Sequence, residues 1–465
     1  MSFENISDIE QVLRSNSPSV RDLHAAWEQR LPIPDTARKK SAGSLGSDKQ
    51  IAWLQDISIG RLFTKHAVEQ EEFLLAMDAA QEILRLPPAN AKDVSERLRV
   101  RMDYAAALTR MGNTSQAREE LEPCLSDAKS QGRNLRVDIL LQLGDIAREE
   151  SYHAATKAEQ HNAALRALGF YQSALDEDRE RLAALVRTAA ASLTLSESGE
   201  ASRGESEQVA RHILSATKKD EDESGPHLET SEARATAHAV LGDLNAAMRS
   251  FESLRNLEGV GTSQLAEARF RAQFLAESLG KPRDFFKPAF PALQLIVFSG
   301  HLPDQPGGRT RLPPGSIGAV RDAMRAHLSL LQARVGLVSA SAGADLLFIE
   351  ALRERQGGVH IVLPWEQEEF RRTSVQKFDP KGGPKYWEPL YDKALGEAAT
   401  IRTIGQAYEP GSDIGWEYMM EVTAGIALQI ARASRLDIKP MVLWDGLPGN
   451  GRAAPILFTS SGGTS

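Results

Sequence analysis

The spacing of apolar residues divides the chain into two halves. Through Gly280, alanine, leucine, arginine and glutamate dominate, and apolar positions recur every three or four residues, the period of amphipathic helices. After Pro291 come short β-branched runs separated by helical stretches rich in glycine and proline boundaries. The segment from Lys281 to Pro291 reads as a linker, which predicts a helical domain over 1–281 and an α/β domain over 291–465.

The helical half contains internal similarity. Met102–Cys124 and Ala235–Leu254 each place small residues on a first helix, then a Gly-polar turn at Gly112 or Gly242. A small residue follows (Ala117; Ala246 or Ala247), then a larger one (Leu121; Phe251). Glycine ends a helix readily, and small residues let paired helices approach closely. A looser third copy joins Leu141-Gln-Leu-Gly-Asp to Ala167–Leu175, and a fourth falls in Leu182–Thr217. Such helix pairs predict a repeat solenoid. Asp35–Lys49 and Lys218–Thr230 are polar and read as exposed or disordered loops.

In the second half the pattern predicts strands at Leu293–Phe298, Val335–Val338, Val359–Leu363, Thr400–Ile404 and Met441–Trp444. The predicted helices run from Ser316, over Ala344–Arg355, within Glu366–Val375 and Pro384–Ala398, and from Ser412 or Asp413 to Ser434. Alternating strands and helices imply a parallel sheet with right-handed crossovers. Strands this apolar are covered on both faces. The expected class is α + α/β: a tetratricopeptide-like array followed by a Rossmann-like domain. Pro455–Thr459 reads as an added edge strand and the following tail as loose.

Composition changes this picture little. The 465 residues carry a net charge of −8, which gives no electrostatic reason to expect nucleic acid. One cysteine, Cys124, excludes a disulfide framework and a multi-cysteine zinc site. The acidic start has no apolar core and resembles no secretory signal, and no apolar run reaches the length of a membrane helix. The expected location is cytoplasmic.

Ligands of open α/β sheets bind outside the carboxyl ends of the strands. Ser299, Gly300 and His301 follow the first strand, Ser341, Gly343 and Asp345 the second, Pro364-Trp365 the third, and Asp445 the last. A helix starting at Gly343 would aim free amides at a phosphate. Arg309 and Arg311, in the long loop after the first strand, could add charged donors. Asp345 in a helix's first turn suits helix stabilisation as well as ligand contact. His301 could contact a ligand or serve as a base. Arg371, Arg372, Lys377, Lys381 and Lys385 form a basic stretch, either a lid or plain surface. No metal-ligand spacing, nucleophile arrangement, Gly-x-Gly-x-x-Gly or Walker loop is present, so a conventional dehydrogenase or ATPase is not expected.

The motifs Ser299-Gly-His-Leu-Pro-Asp-Gln-Pro-Gly-Gly-Arg309, Ala342-Gly-Ala-Asp-Leu-Leu-Phe-Ile-Glu-Ala351, Val359–Trp365 and Trp444-Asp-Gly446 resemble a bacterial signalling region. In that family, tetratricopeptide-like repeats precede a Rossmann-like nucleotide-sensing domain of the TIR/SLOG kind, often before a class III nucleotide cyclase. The helical half also resembles the TRAF-binding regulatory region of apoptosis signal-regulating kinases. The resemblance implies a sensor or adaptor with a nucleotide or NAD-type ligand. It points to Gly300, His301, Arg309, Gly343, Asp345 and Glu350. No cyclase or kinase follows in this sequence, so output would pass through a protein partner on the repeats; self-association stays open. Some TIR-like domains cleave NAD with a helix glutamate, which makes Glu350, Glu369 (in Trp365-Glu-Gln-Glu-Glu369) and Glu417 the acids of an alternative hydrolase. A scaffold without a ligand is the third reading.

Overall fold

The computed structural model describes residues 3–15, 18–30, 52–88, 90–196, 203–257, 260–304, 311–379, 385–405, 408 and 414–445. The chain forms two compact units, Met1–Pro291 and Ala292–Ser465. Described residues are mostly helical, with one small five-stranded sheet. Among them, no helix is long and apolar enough to cross a membrane.

Among the described residues, the elements of the first unit are helices. In order these are α1 (Ile6–Arg14), α2 (Val20–Glu28), α3 (Ile57–Glu69), α4 (Phe73–Ile83), α5 (Ala91–Arg110), α6 (Thr114–Leu121) and α7 (Cys124–Gln131). Then follow α8 (Arg133–His153), α9 (Lys157–Glu177), α10 (Leu182–Ser196), α11 (Arg203–Ser224), α12 (Leu228–Val240), α13 (Leu244–Ser253) and α14 (Thr262–Ser278). Side-chain caps mark the start of several of them. The Asn90 side chain accepts the Asp93 amide, and Thr156 and Glu159 form a capping box at α9.

The two clearest sequence copies fold alike. Gly112 and Gly242 both adopt positive φ, 86° and 84°, between paired helices. The next residue closes each turn: Asn113 N–H donates to the Leu108 carbonyl and Asp243 N–H to that of His238. This is the Schellman arrangement, in which a left-handed residue satisfies the last carbonyls of a helix. Ala117, Leu121, Ala247 and Phe251 are buried behind the turns.

The third copy differs from expectation. Gly144 ends nothing; α8 runs straight through it. A side chain there would collide with the Tyr171 ring of α9, so this glycine is a packing notch between two long helices. Lys218–Thr230, expected as a loop, is helix to Ser224 and again from Leu228. Its lysines and glutamates are good helix formers on a solvated face, while Thr217 and Thr230 are buried. Asp35–Lys49 lies outside the described residues. The segment read as a linker packs against the helices: Phe286 and Phe290 join the core with Phe251, and Arg255 donates to the carbonyls of Ala289 (2.6 Å), Phe290 (2.9 Å) and Pro288.

The second unit holds β1 (Gln294–Gly300), α15 (Ile317–Leu330), β2 (Val335–Val338), α16 (Ala344–Arg353), β3 (Gly358–Leu363), α17 (Gln367–Ser374), α18 (Trp387–Glu397), β4 (Thr400–Thr403), α19 (Ile414–Ala433) and β5 (Asp437–Leu443). All pairings are parallel, in the order β4-β3-β2-β1-β5. Ile296, Phe298, Val338, Val359 and Ile361 share a core with α16, where Phe298 stacks on Phe348 at 4.4 Å between centroids. Leu295, Val297, Leu337 and Val362, one residue out of step and so on the opposite face, are buried as well. Helix α19 packs on β1, β3 and β5. Ser316, read as a cap, makes no side-chain cap; its Oγ donates to the Pro313 carbonyl. The start of α19 near Ser412 and the tail, including Pro455–Thr459, lie outside the described residues.

Candidate functional site

The sheet builds outward from β1 to β4, then the chain crosses back through α19 to place β5 on the other side of β1. The strand order therefore reverses between β1 and β5. In open α/β sheets such a reversal, at the strands' carboxyl ends, is where ligands bind. At that end the Asp445 amide donates to His301 Nε2 (3.1 Å), and Asp445 Oδ1 lies 3.5 Å from the same nitrogen. An imidazole nitrogen that accepts from an amide carries no proton, so this contact selects the tautomer protonated at Nδ1. Ser299 is exposed beside them, and the His301 and Asp445 side chains keep 13% and 15% of their surface.

Gly343 is reached from the same loop. The Ala344 amide donates to the His301 carbonyl (3.0 Å), anchoring the end of β1 to the first turn of α16. Gly343 has φ +96°, and a Cβ there would lie 2.7 Å from the His301 oxygen and 2.9 Å from Pro303 Cδ. Leu312 covers the same spot at 3.1 Å, and Gly343 is buried. A Cβ at Gly300 would strike that of Ala344.

Asp345 occupies the position where a bound anion was expected. It accepts from the Ser339 hydroxyl and the Ser341 amide (3.3 Å), and the Gly300 backbone bonds it as well. Ser341 and Asp345 are each only 6% exposed. Burial pushes the Asp345 carboxyl up to about 6, against the pull of the Ser339 and Ser341 bonds. The carboxylate ties the ends of β1 and β2 to the positive end of α16.

The sign of its pH effect follows. Asp345 titrates near the ordinary carboxylate value of 3.8 when unfolded and near 6 when folded. Its contribution is full below the lower value and is lost as pH rises through the higher one. Relative to Asp345→Asn, the wild type should lose on the order of 3 kcal/mol of stability between about pH 4 and pH 7. Urea unfolding of both proteins across that range measures the difference. The comparison must be with the variant, because burial also pushes Asp103, bonded by Thr64 Oγ1 at 2.8 Å, up to about 6.

The three candidate acids are not brought together. Glu350 sits in the second half of α16, held by Arg321 of α15 at 2.7 Å; Arg321 also donates to the Tyr386 hydroxyl. Glu369 of α17 pairs with Arg372. Glu417 is exposed in the first turn of α19. The basic stretch is largely paired: Arg371 with Asp392 (2.5 Å) and Glu368 (3.3 Å), and Lys385 with Glu388. Arg309 and Lys381 lie outside the described residues. Arg311 is described through its amide, which donates to Asp304 Oδ1 (2.7 Å). Among the described residues, no group of three or more His, Cys, Asp or Glu side chains is placed to share a metal ion.

Sequence reasoning missed an aromatic group at the ends of β3 and β4. Trp365 packs against Tyr408 (4.8 Å) and edge-on against Trp416 (5.1 Å), with its indole N–H donated to Thr373 Oγ1 (3.1 Å). The signal available was the run of aromatics just past apolar strands. No family model matches the chain, and no curated protein matches it.

Proposed function

We propose that the chain is a ligand-responsive adaptor. In this reading the second unit is Rossmann-like and holds a nucleotide-type ligand, a mononucleotide or NAD, in the crevice beyond β1 and β5. The first unit is a tetratricopeptide-like solenoid that docks a protein partner. One observation supports the reading above the others: His301 and Asp445, brought together from strand ends 144 residues apart, meet beside exposed Ser299 at the switch point. The sealed face around Gly343 moves the contact surface from the start of α16 to the β1/β5 side.

The test is a thermal-shift screen of the purified chain with NAD, ATP, GTP and cyclic nucleotides, with the nucleotide recovered and analysed. The expected result is stabilisation without product. At about a hundred times Kd this amounts to roughly 2.7 kcal/mol. Ser299→Trp should abolish it by filling the crevice. A shift unchanged in that variant, or no shift with any nucleotide, ends the reading. Product that disappears on Glu417→Gln would favour the hydrolase.

A further inference from the structure

The first unit contains a feature with no part in the α/β crevice. Helices α8, α9, α10, α12 and α14 enclose a cavity of about 30 Å³. Its lining includes Ala164, Ala167, Ala190 and Ala191 as a floor, and a charged wall of Arg148, Arg187, Arg271 and one carboxylate, Glu232.

The guanidiniums are unequally partnered. Arg187 grips Asp145 with two bonds (2.8 and 2.9 Å). Arg271 grips Glu232 the same way, once at 2.7 Å. Glu267 is divided among Arg110 (3.2 Å), Arg271 (3.3 Å) and Arg148 (3.8 Å). Arg148 thus has only a share of Asp145, at 3.1 Å, and a distant share of Glu267. Its side chain is 9% exposed, and its Nε is buried without a hydrogen-bond partner. A buried cationic donor left unbonded costs about 1–3 kcal/mol or more. The lining oxygens leave this Nε unbonded: the Glu232 carboxylate is held by Arg271, and neither the Tyr171 nor the Thr236 hydroxyl accepts from it.

We infer that this cavity is a carboxylate-binding site: a carboxylate enters over the alanine floor and accepts from Arg148, while its stem leaves toward solvent. The volume suits the head group alone, since a single water needs about 10–15 Å³ on the same scale. Arginine recognises planar carboxylates through paired N–H donors. The carboxylate comes either from a free small acid or from an acidic side chain of a docked protein segment. The site is independent of the nucleotide reading and stands or falls without it.

Calorimetric titration of the full chain tests this with glutarate, with a pentaglutamate peptide, and with glutaramide as the uncharged control. The expected result is binding of glutarate or the peptide and not of glutaramide. A peptide tighter than glutarate by about tenfold or more identifies a protein segment as the source, and the reverse order a free acid. Arg148→Met should weaken binding about tenfold or more. Ala190→Leu, which fills the floor and leaves every ion pair in place, should abolish binding while the melting curve is kept. No binding of either acid at about 10 mM, or wild-type affinity in Ala190→Leu, overturns the inference.

Discussion

Gly343→Ala is expected to destabilise the α/β unit by about 3 kcal/mol or more. Two costs add. A non-glycine residue held at φ +96° pays roughly 1–2 kcal/mol of backbone strain. The new methyl would also sit 2.7 Å from the His301 carbonyl oxygen, an atom of the backbone. That oxygen cannot swing aside, because it accepts the Ala344 amide and so fixes the loop after β1 to α16. Relief requires the loop to lift, which uncovers Asp345 and breaks the bond from Ser341. Hydrogen exchange read by segment should show faster opening at 299–304 and 341–347, with the first unit unchanged. An alanine variant as stable as wild type would mean that the close packing of these two loops is wrong.

Asp145→Ala is expected to cost about 3 kcal/mol in the first unit. Burial alone would raise this carboxyl, but Arg187 and Arg148 outweigh it and hold it below the usual range. Asp145 accepts from the Tyr171 hydroxyl (2.9 Å) as well as from both arginines. Alanine strands two guanidiniums and a phenol at once. Removing one partner of a buried pair costs about 3–5 kcal/mol. The lower end applies because the Asp145 side chain is 27% exposed. The double variant Asp145→Ala, Arg187→Met should recover part of the loss, since it also removes one of the uncompensated cations. With two units, unfolding need not be a single transition, so the comparison belongs to the transition of the helical unit. Equal losses in the single and double variants would show that the ion pair does not carry the effect.

What was readable in the sequence follows from how local each cause is. The two hairpins around Gly112 and Gly242 were legible because a left-handed turn and the small residues behind it lie within a dozen positions. The strands β1 to β3 were legible because burial on both faces leaves near-continuous apolar runs, whereas β4, Thr-Ile-Arg-Thr at the sheet edge, gave a weaker signal. The start of β5 was not. Lys439-Pro440 reads as a break, yet the strand begins at Asp437. Proline lacks only an amide donor, and an edge strand has one side where none is needed. Gly144 failed for a different reason: its cause is the Tyr171 ring, contributed by another helix. At the site, residue types pointed to the strand ends, and His301 and Asp445 do meet there. That Asp345 turns inward, and that Glu350 is held by Arg321, depends on the rotation of α16 against its neighbours, which composition does not specify.

The pairing of β1 with β5 also sets an order of assembly. During synthesis, β1 emerges first of the five strands and acquires β2 on one side early. Its other edge waits for more than a hundred residues before Asp437–Leu443 leaves the ribosome. Such long-range closure is slow and comes late. Until then the nascent sheet ends at β1 in an open apolar edge, a species in need of chaperone protection.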